Sequence, residues 1–214
     1  MGADRITYGP PSGAGTNAFD QKALVLDQTN GVLYVSGASN NRKLMVAMGA
    51  PLVLTAQTAK TAITTAQSLL SFAFTPGALN VTGRKMRVRG CLIYSTTAAN
   101  VATISLALVL GGVTLCTITT GATNTAASTN LPIWFEFELT VVTLGATATI
   151  ESHGRVDANI GTVAAAVAGT YLDTNTAVSS AVNLTAASTL SVTIAASAAI
   201  PSAQVRSASV IYEA

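Results

Sequence analysis

Trp134-Phe135-Glu136-Phe137-Glu138-Leu139-Thr140-Val141 alternates without a break. In an extended chain successive side chains point to opposite faces, so Phe135, Phe137, Leu139 and Val141 share one side and Glu136 and Glu138 the other. A helix would mix the two sets, so the stretch reads as a half-buried β-strand. The same period of two recurs on both sides of it. Lys85-Met86-Arg87-Val88-Arg89 sets basic residues against apolar ones, and Ile104, Leu106, Leu108 and Leu110 form one face of another strand. Gly111-Gly112 then turns the chain, since both residues tolerate positive φ, and Val113 to Thr119 returns. Further on, Thr147 to Val156 puts Ile150 inward and Glu151, His153 and Arg155 outward. Asn183 to Ala195 carries Leu184, Leu190, Val192 and Ile194, and Val205 to Tyr212 closes the series.

About eight strands result, joined by Gly, Asn, Ser and Thr turns. Parallel pairing would need crossovers of about a dozen residues or more, usually helical. The expected fold is therefore all-β: an antiparallel β-sandwich of the jelly-roll type over residues 51–214. Gln57 to Phe74 is ambiguous; a helix can be drawn through Lys60 to Leu70, but the many Thr residues favour strand plus loop. Gly161 to Ser180 reads as a long loop, with Val163 to Val167 as a candidate edge strand. Residues 1–50 differ in character. Gly9-Pro10-Pro11-Ser12-Gly13-Ala14-Gly15 excludes helix and central strand, and it lacks the Lys and following helix of a phosphate loop. Ala23 to Leu26 and Val32 to Val35 flank the turn residues Asp27-Gln28-Thr29-Asn30-Gly31. This section is expected to be an extended attachment arm with a short β-hairpin, joined by a linker at about Asn40 to Leu54.

Charged residues are 9% of the 214-residue chain, against about 25% in a typical soluble protein. From Gly90 to Phe135, and again from Thr174 to Val205, no side chain is charged. Hydrophobic residues make up 50% and aromatics 5%, so the core must be packed densely from small side chains. A surface of Thr, Ser and Ala is weakly hydrated and is best explained if copies or neighbours cover it. A net charge of +2 gives no reason to expect a polyanionic partner. Cys91 and Cys116 are expected as reduced, buried thiols. No secretory signal opens the chain, so synthesis in a cytoplasm is expected. The apolar window Val101 to Thr119 alternates around its Gly-Gly pair, which argues for a hairpin and against a membrane helix.

The strands Gly83 to Gly90, Leu106 to Leu115, Trp134 to Val141, Ile150 to Val156 and Gln204 to Glu213, in that order, resemble the jelly-roll modules of tailed-bacteriophage virion proteins. Asp27 to Val35 is similar to the short hairpins at the bases of phage fibres. The resemblance implies a non-enzymatic virion subunit, a capsid decoration protein or head fibre, assembled as a homotrimer. Its N-terminal arm would attach to a virion protein such as the major capsid protein, with no nucleic acid, membrane or cofactor involved. The alternative it offers is a receptor-binding tail-fibre or spike tip that recognises a host glycan through loops such as Ala158 to Ser180.

No residue pattern supports catalysis. His153 is the sole histidine, flanked at alternate positions by Glu151 and Arg155, and reads as part of a polar row. One His and two Cys in this spacing make no zinc site, and Asp20, Asp27, Asp157 and Asp173 form no calcium loop. Arg84, Lys85, Arg87 and Arg89 are the basic cluster, and Glu136 and Glu138 its acidic counterpart. The two rows are expected to meet across neighbouring strands or across a subunit interface. Trp134 is expected as a core or interface anchor, with a sugar-stacking platform as the lesser option. The candidate interface residues are thus Arg87, Arg89, Glu136, Glu138 and Trp134.

Overall fold

Every long apolar alternation in the sequence forms a strand. A computed structural model describes residues 6–8, 24–27, 32–36, 42–46, 52–54, 57–74, 77–161, 167–173 and 181–213, with side chains from 57 onward. Residues 1–52 and 53–213 form two compact units. In the first, β1 (Ile6–Tyr8), β2 (Leu24–Asp27), β3 (Val32–Ser36) and β4 (Arg42–Val46) make a four-stranded sheet in that order. The pair β2–β3 is the expected antiparallel hairpin, whereas β1 joins β2 in parallel. The linker expected at Asn40 to Leu54 instead contains β4 and the short β5 (Leu52–Leu54). Its apolar residues Leu44-Met45-Val46 and Leu52-Val53-Leu54 are strand formers with too few turn residues to stay irregular. Gly9 to Gly15 lies outside the described residues.

The second unit is an antiparallel sandwich. One sheet has the order β10-β9-β14-β7, formed by β7 (Gln67–Phe74), β9 (Ile104–Leu110), β10 (Val113–Thr119) and β14 (Ser188–Ala196). The other has the order β13-β12-β11-β8-β15-β5, with β6 (Lys60–Ile63) also paired to β15. Its long members are β8 (Lys85–Thr96), β11 (Ser128–Val141), β12 (Ile150–Asn159) and β15 (Ile200–Glu213), and β13 (Ala168–Leu172) lies at its edge. The Lys60 to Leu70 helix does not form; β6, a turn and β7 take its place, as the Thr content favoured. The edge strand expected at Val163 to Val167 falls on residues of which 162–166 are outside the described set; within the stretch expected as a long loop, Gly161 to Ser180, the strand β13 forms at Ala168–Leu172. More strands are present than the expected eight because short edge pieces such as β5, β6 and β13 leave little alternation to read.

Inward residues of both sheets form one core. Ile104, Leu106, Leu108 and Leu110 of β9 are fully buried, as are Leu139, Phe137 and Ile133 of β11. Each such side chain contributes roughly 1.5–3 kcal/mol relative to exposure. Three of the β-bulges among the described strands tune the faces. The ladder skips one residue between Thr114 and Cys116, so Leu115 and Cys116 are both buried. A shift opposite Val192/Thr193 lets Leu69 and Leu70 both turn inward. On β15 the skip falls at Arg206, and there Arg206 and Ser207 are both exposed. The sheets meet closely at Gly154 of β12, where an added Cβ would lie 2.6 Å from Ile118 Cδ1 and 3.0 Å from Cys116 Sγ, both on β10. Beside it, Ser152 Oγ donates a buried 2.6 Å hydrogen bond to the Leu115 carbonyl across the sandwich.

Gly90, midway along β8, tests this packing. A Cβ there would stand 2.6 Å from Phe135 Cζ and 2.6 Å from the Ser207 carbonyl oxygen. Gly90→Ala should therefore destabilise the protein by about 1–3 kcal/mol through overpacking. Urea unfolding would show a lower midpoint at unchanged slope; an unaltered midpoint would mean β8 and β15 are not held at this spacing.

Candidate functional site

The two sheets differ sharply on their outer faces. The strands β7, β9, β10 and β14 contain no charged residue at all. Their outward positions are Ser, Thr, Ala and Val: Thr117 opposes Ala107, which opposes Thr193, which opposes Ser68. Hydroxyls on this face bond to one another, Ser105 Oγ with Thr119 Oγ1 at 2.8 Å and Ser68 Oγ with Ser71 Oγ at 3.0 Å.

The outer face of the larger sheet collects the charges. Register places Glu138 between Arg87 and His153, Glu136 between Arg89 and Arg155, and Trp134 between Cys91 and Asp157. Lys85 Nζ donates to Glu138 Oε1 at 2.7 Å, and Arg87 Nη2 to Glu138 Oε2 at 3.1 Å. The Arg87 guanidinium also lies 3.5 Å from Glu136 Oε1 and 3.3 Å from Glu213 Oε1. The basic and acidic rows thus meet across neighbouring strands of one chain. Arg89 does not join them; its Nε makes a 3.4 Å hydrogen bond to Ser209 Oγ. Arg84 leaves the cluster altogether and donates to the Ala78 carbonyl and to Asn80 Oδ1, bracing the turn before β8.

Trp134 is not in the core. It is 59% exposed, on the same face as Glu136 and Glu138. Beside it Arg155 forms a two-pronged pair with Asp157, Nε to Oδ2 at 2.9 Å and Nη2 to Oδ1 at 3.1 Å, and Thr170 Oγ1 donates to Oδ1 at 2.5 Å. The Thr170 hydrogen bond and, next, Arg155 hold the Asp157 carboxyl below its usual range. Asp157 belongs to no calcium-loop pattern, but its spacing of two from Arg155 is a readable signal of this pair. Glu213 as a partner of Arg87 was not readable, because it depends on β15 lying beside β8.

His153 Nε2 lies 3.3 Å from Glu151 Oε1, both exposed. Its neighbour Ser152 faces the opposite way, with its hydroxyl spent on the Leu115 carbonyl, so the two cannot act as nucleophile and base. Cys91 and Cys116 are free and buried, on opposite sheets, and burial raises both thiols above the ordinary range. For Cys116 the neighbouring Asp173 carboxylate adds to the rise. Tyr94 is buried and donates to the Asn159 carbonyl at 2.7 Å, so it offers no stacking surface. Among the described residues no group of three or more His, Cys, Asp or Glu can hold a metal ion, and no helix is long and apolar enough to cross a membrane.

No protein-family model and no curated protein sequence matches the chain. A solved structure, the CBM2 module of the evolved Dit protein of Lactobacillus casei BL23 phage J-1, is similar at a TM-score of 0.30 and 9% identity. The match covers 85% of this chain and 76% of that one. At that TM-score the likeness carries no argument.

The Glu138 cluster has a defined acid response. The hydrogen bond from Lys85 is the largest influence on Glu138 and lowers its pKa; burial opposes it, and the hydrogen bond from Arg87 adds to the lowering. With the folded value below the unfolded one, the unfolded chain binds more protons at intermediate pH. The stabilisation is complete above the unfolded value and is lost as pH falls through the folded one. Glu138→Gln should cost about 1 kcal/mol at neutral pH, typical of a partly exposed pair. That gap to wild type should close on acidification and shrink in high salt. Urea unfolding across pH checks this; a pH-independent gap would reject the pairing.

Proposed function

We propose that this chain is a non-enzymatic structural subunit of a virion, of the kind that decorates a tailed-phage capsid or forms its head fibre. Copies associate as homotrimers through the uncharged sheet. One observation carries this reading: a four-stranded sheet presents an outer face of Ser, Thr, Ala and Val without a charge. Soluble proteins ordinarily intersperse charges over their surfaces, which opposes association. Here nothing opposes it. Hydroxyls that already bond to one another lose little on leaving water, so the cost of burying the face is small. The strand order resembling phage jelly-roll modules supports the virion setting, and residues 1–50 would attach the assembly to a capsid protein.

The charged face, with Arg87, Arg89, Glu136, Glu138 and Trp134, is the other surface on which a neighbour would sit. Most of its carboxylates are already paired within the chain, which leaves less to gain there. The exposed Trp134 favours a second reading, a fibre or spike tip that recognises a glycan.

Light scattering on the purified full chain tests assembly. The wild type should have the mass of three chains. Thr193→Glu, which puts a carboxylate in the middle of the uncharged face, should give a folded monomer with an unchanged circular-dichroism spectrum. A monomeric wild type at high concentration, or a variant that still assembles, would overturn the assignment of this face.

A further inference from the structure

Two guanidinium groups on the charged face have no carboxylate partner among the described residues. Lys85 and Arg87 are taken up by Glu138, and Arg155 by Asp157. Arg89 reaches only the hydroxyl of Ser209, and Arg206 Nη1 donates to Gln204 Oε1 at 3.0 Å. Both border one small residue. Arg89 precedes Cys91 by two positions on β8 and so shares its face. Arg206 occupies the bulge where β15 skips from Val205 to Ser207 opposite Leu92 and Cys91. The charge of Arg206 is felt at Cys91, where it opposes the larger upward effect of burial on the thiol. Directly across from Cys91 on β11 stands Trp134, its indole more exposed than buried.

The stability of the sandwich does not call for this arrangement. A bulge gives up regular ladder pairing, two cations are left without counter-charges, and a large apolar ring faces water. Together they suit a ligand with one apolar ring face and one carboxylate. We propose that Trp134, Arg89 and Arg206 form a binding site for an acidic sugar unit, a pyranose bearing a ring carboxylate, within an anionic polysaccharide. The C–H face of the sugar lies on the indole, and its carboxylate is held between the two guanidinium groups across the low floor at Cys91. Planar donors that match a carboxylate are the property in which Arg exceeds Lys. A nucleic-acid strand fits less well, because it needs successive stacking rings on a basic track. Here one ring is present, and Glu136 and Asp157 flank it. The site rests on the second reading above, glycan recognition, and does not require assembly through the uncharged sheet.

Trp134 is the sole tryptophan, so intrinsic fluorescence of the full chain reports on the site directly. Titration with trigalacturonate should give a saturable change that maltotriose, a neutral trisaccharide, does not. Arg89→Gln and Arg206→Gln, which should melt like the wild type, should each weaken binding by about tenfold, the loss expected of one charged hydrogen bond. Equal saturation by maltotriose would overturn the acidic specificity while leaving glycan recognition intact. No saturable change with either trisaccharide at millimolar concentration would overturn both. A stronger response to an oligothymidylate, or unweakened trigalacturonate binding in both Arg variants, would overturn the proposal outright.

Discussion

Strand β8 is hydrogen-bonded along both edges, to β11 on one side and to β15 on the other, and everything on the charged face follows from that double pairing. It sets Arg87 beside Glu138 and Lys85 beside Glu213, and it puts Cys91 between Trp134 and Ser207. A one-residue slip on either edge would invert which side chains meet, and would drive Met86 and Val88 out of the core. Gly90 keeps the strand close to both neighbours, with the Phe135 ring and the Ser207 carbonyl occupying the space a side chain would need.

The composition takes on meaning once it is divided between sheets. The scarcity of charge is not spread evenly: β7, β9, β10 and β14 carry none, while the alternating basic and acidic residues gather in parts of the other sheet. The core between them is built from many modest side chains, with Phe72, Phe74, Tyr94, Phe135 and Phe137 as its larger members. At Gly154, where β12 lies against β10, a missing side chain and the Ser152 hydroxyl do the joining.

Alternation made the long strands legible, and with them the sandwich and most of its inward residues. It also held the answer for Trp134: if Phe135 and Phe137 face inward, residue 134 shares the side of Glu136 and cannot be in the core. Pairing of distant strands was not legible, because nothing local says that the closing strand lies beside β8. For that reason the partnership of Arg87 with Glu213 has no local signal in the sequence. Bulges were equally hidden. Arg206 reads as one more position in an alternating strand, and only the ladder shows that the extra residue turns it outward. Short edge strands such as β6 and β13 have too few residues for a period of two to stand out from a loop.

The sandwich is wetted unequally on its two sides. Salt and acid act through ionisable groups, so they alter the hydration of the β8–β11–β12 side and leave the Ser/Thr/Ala side as it was. Brought to a boundary between water and a less polar phase, such a molecule would not tumble at random. It would settle with one particular sheet toward the drier phase, its pose chosen by solvation before any specific contact is made.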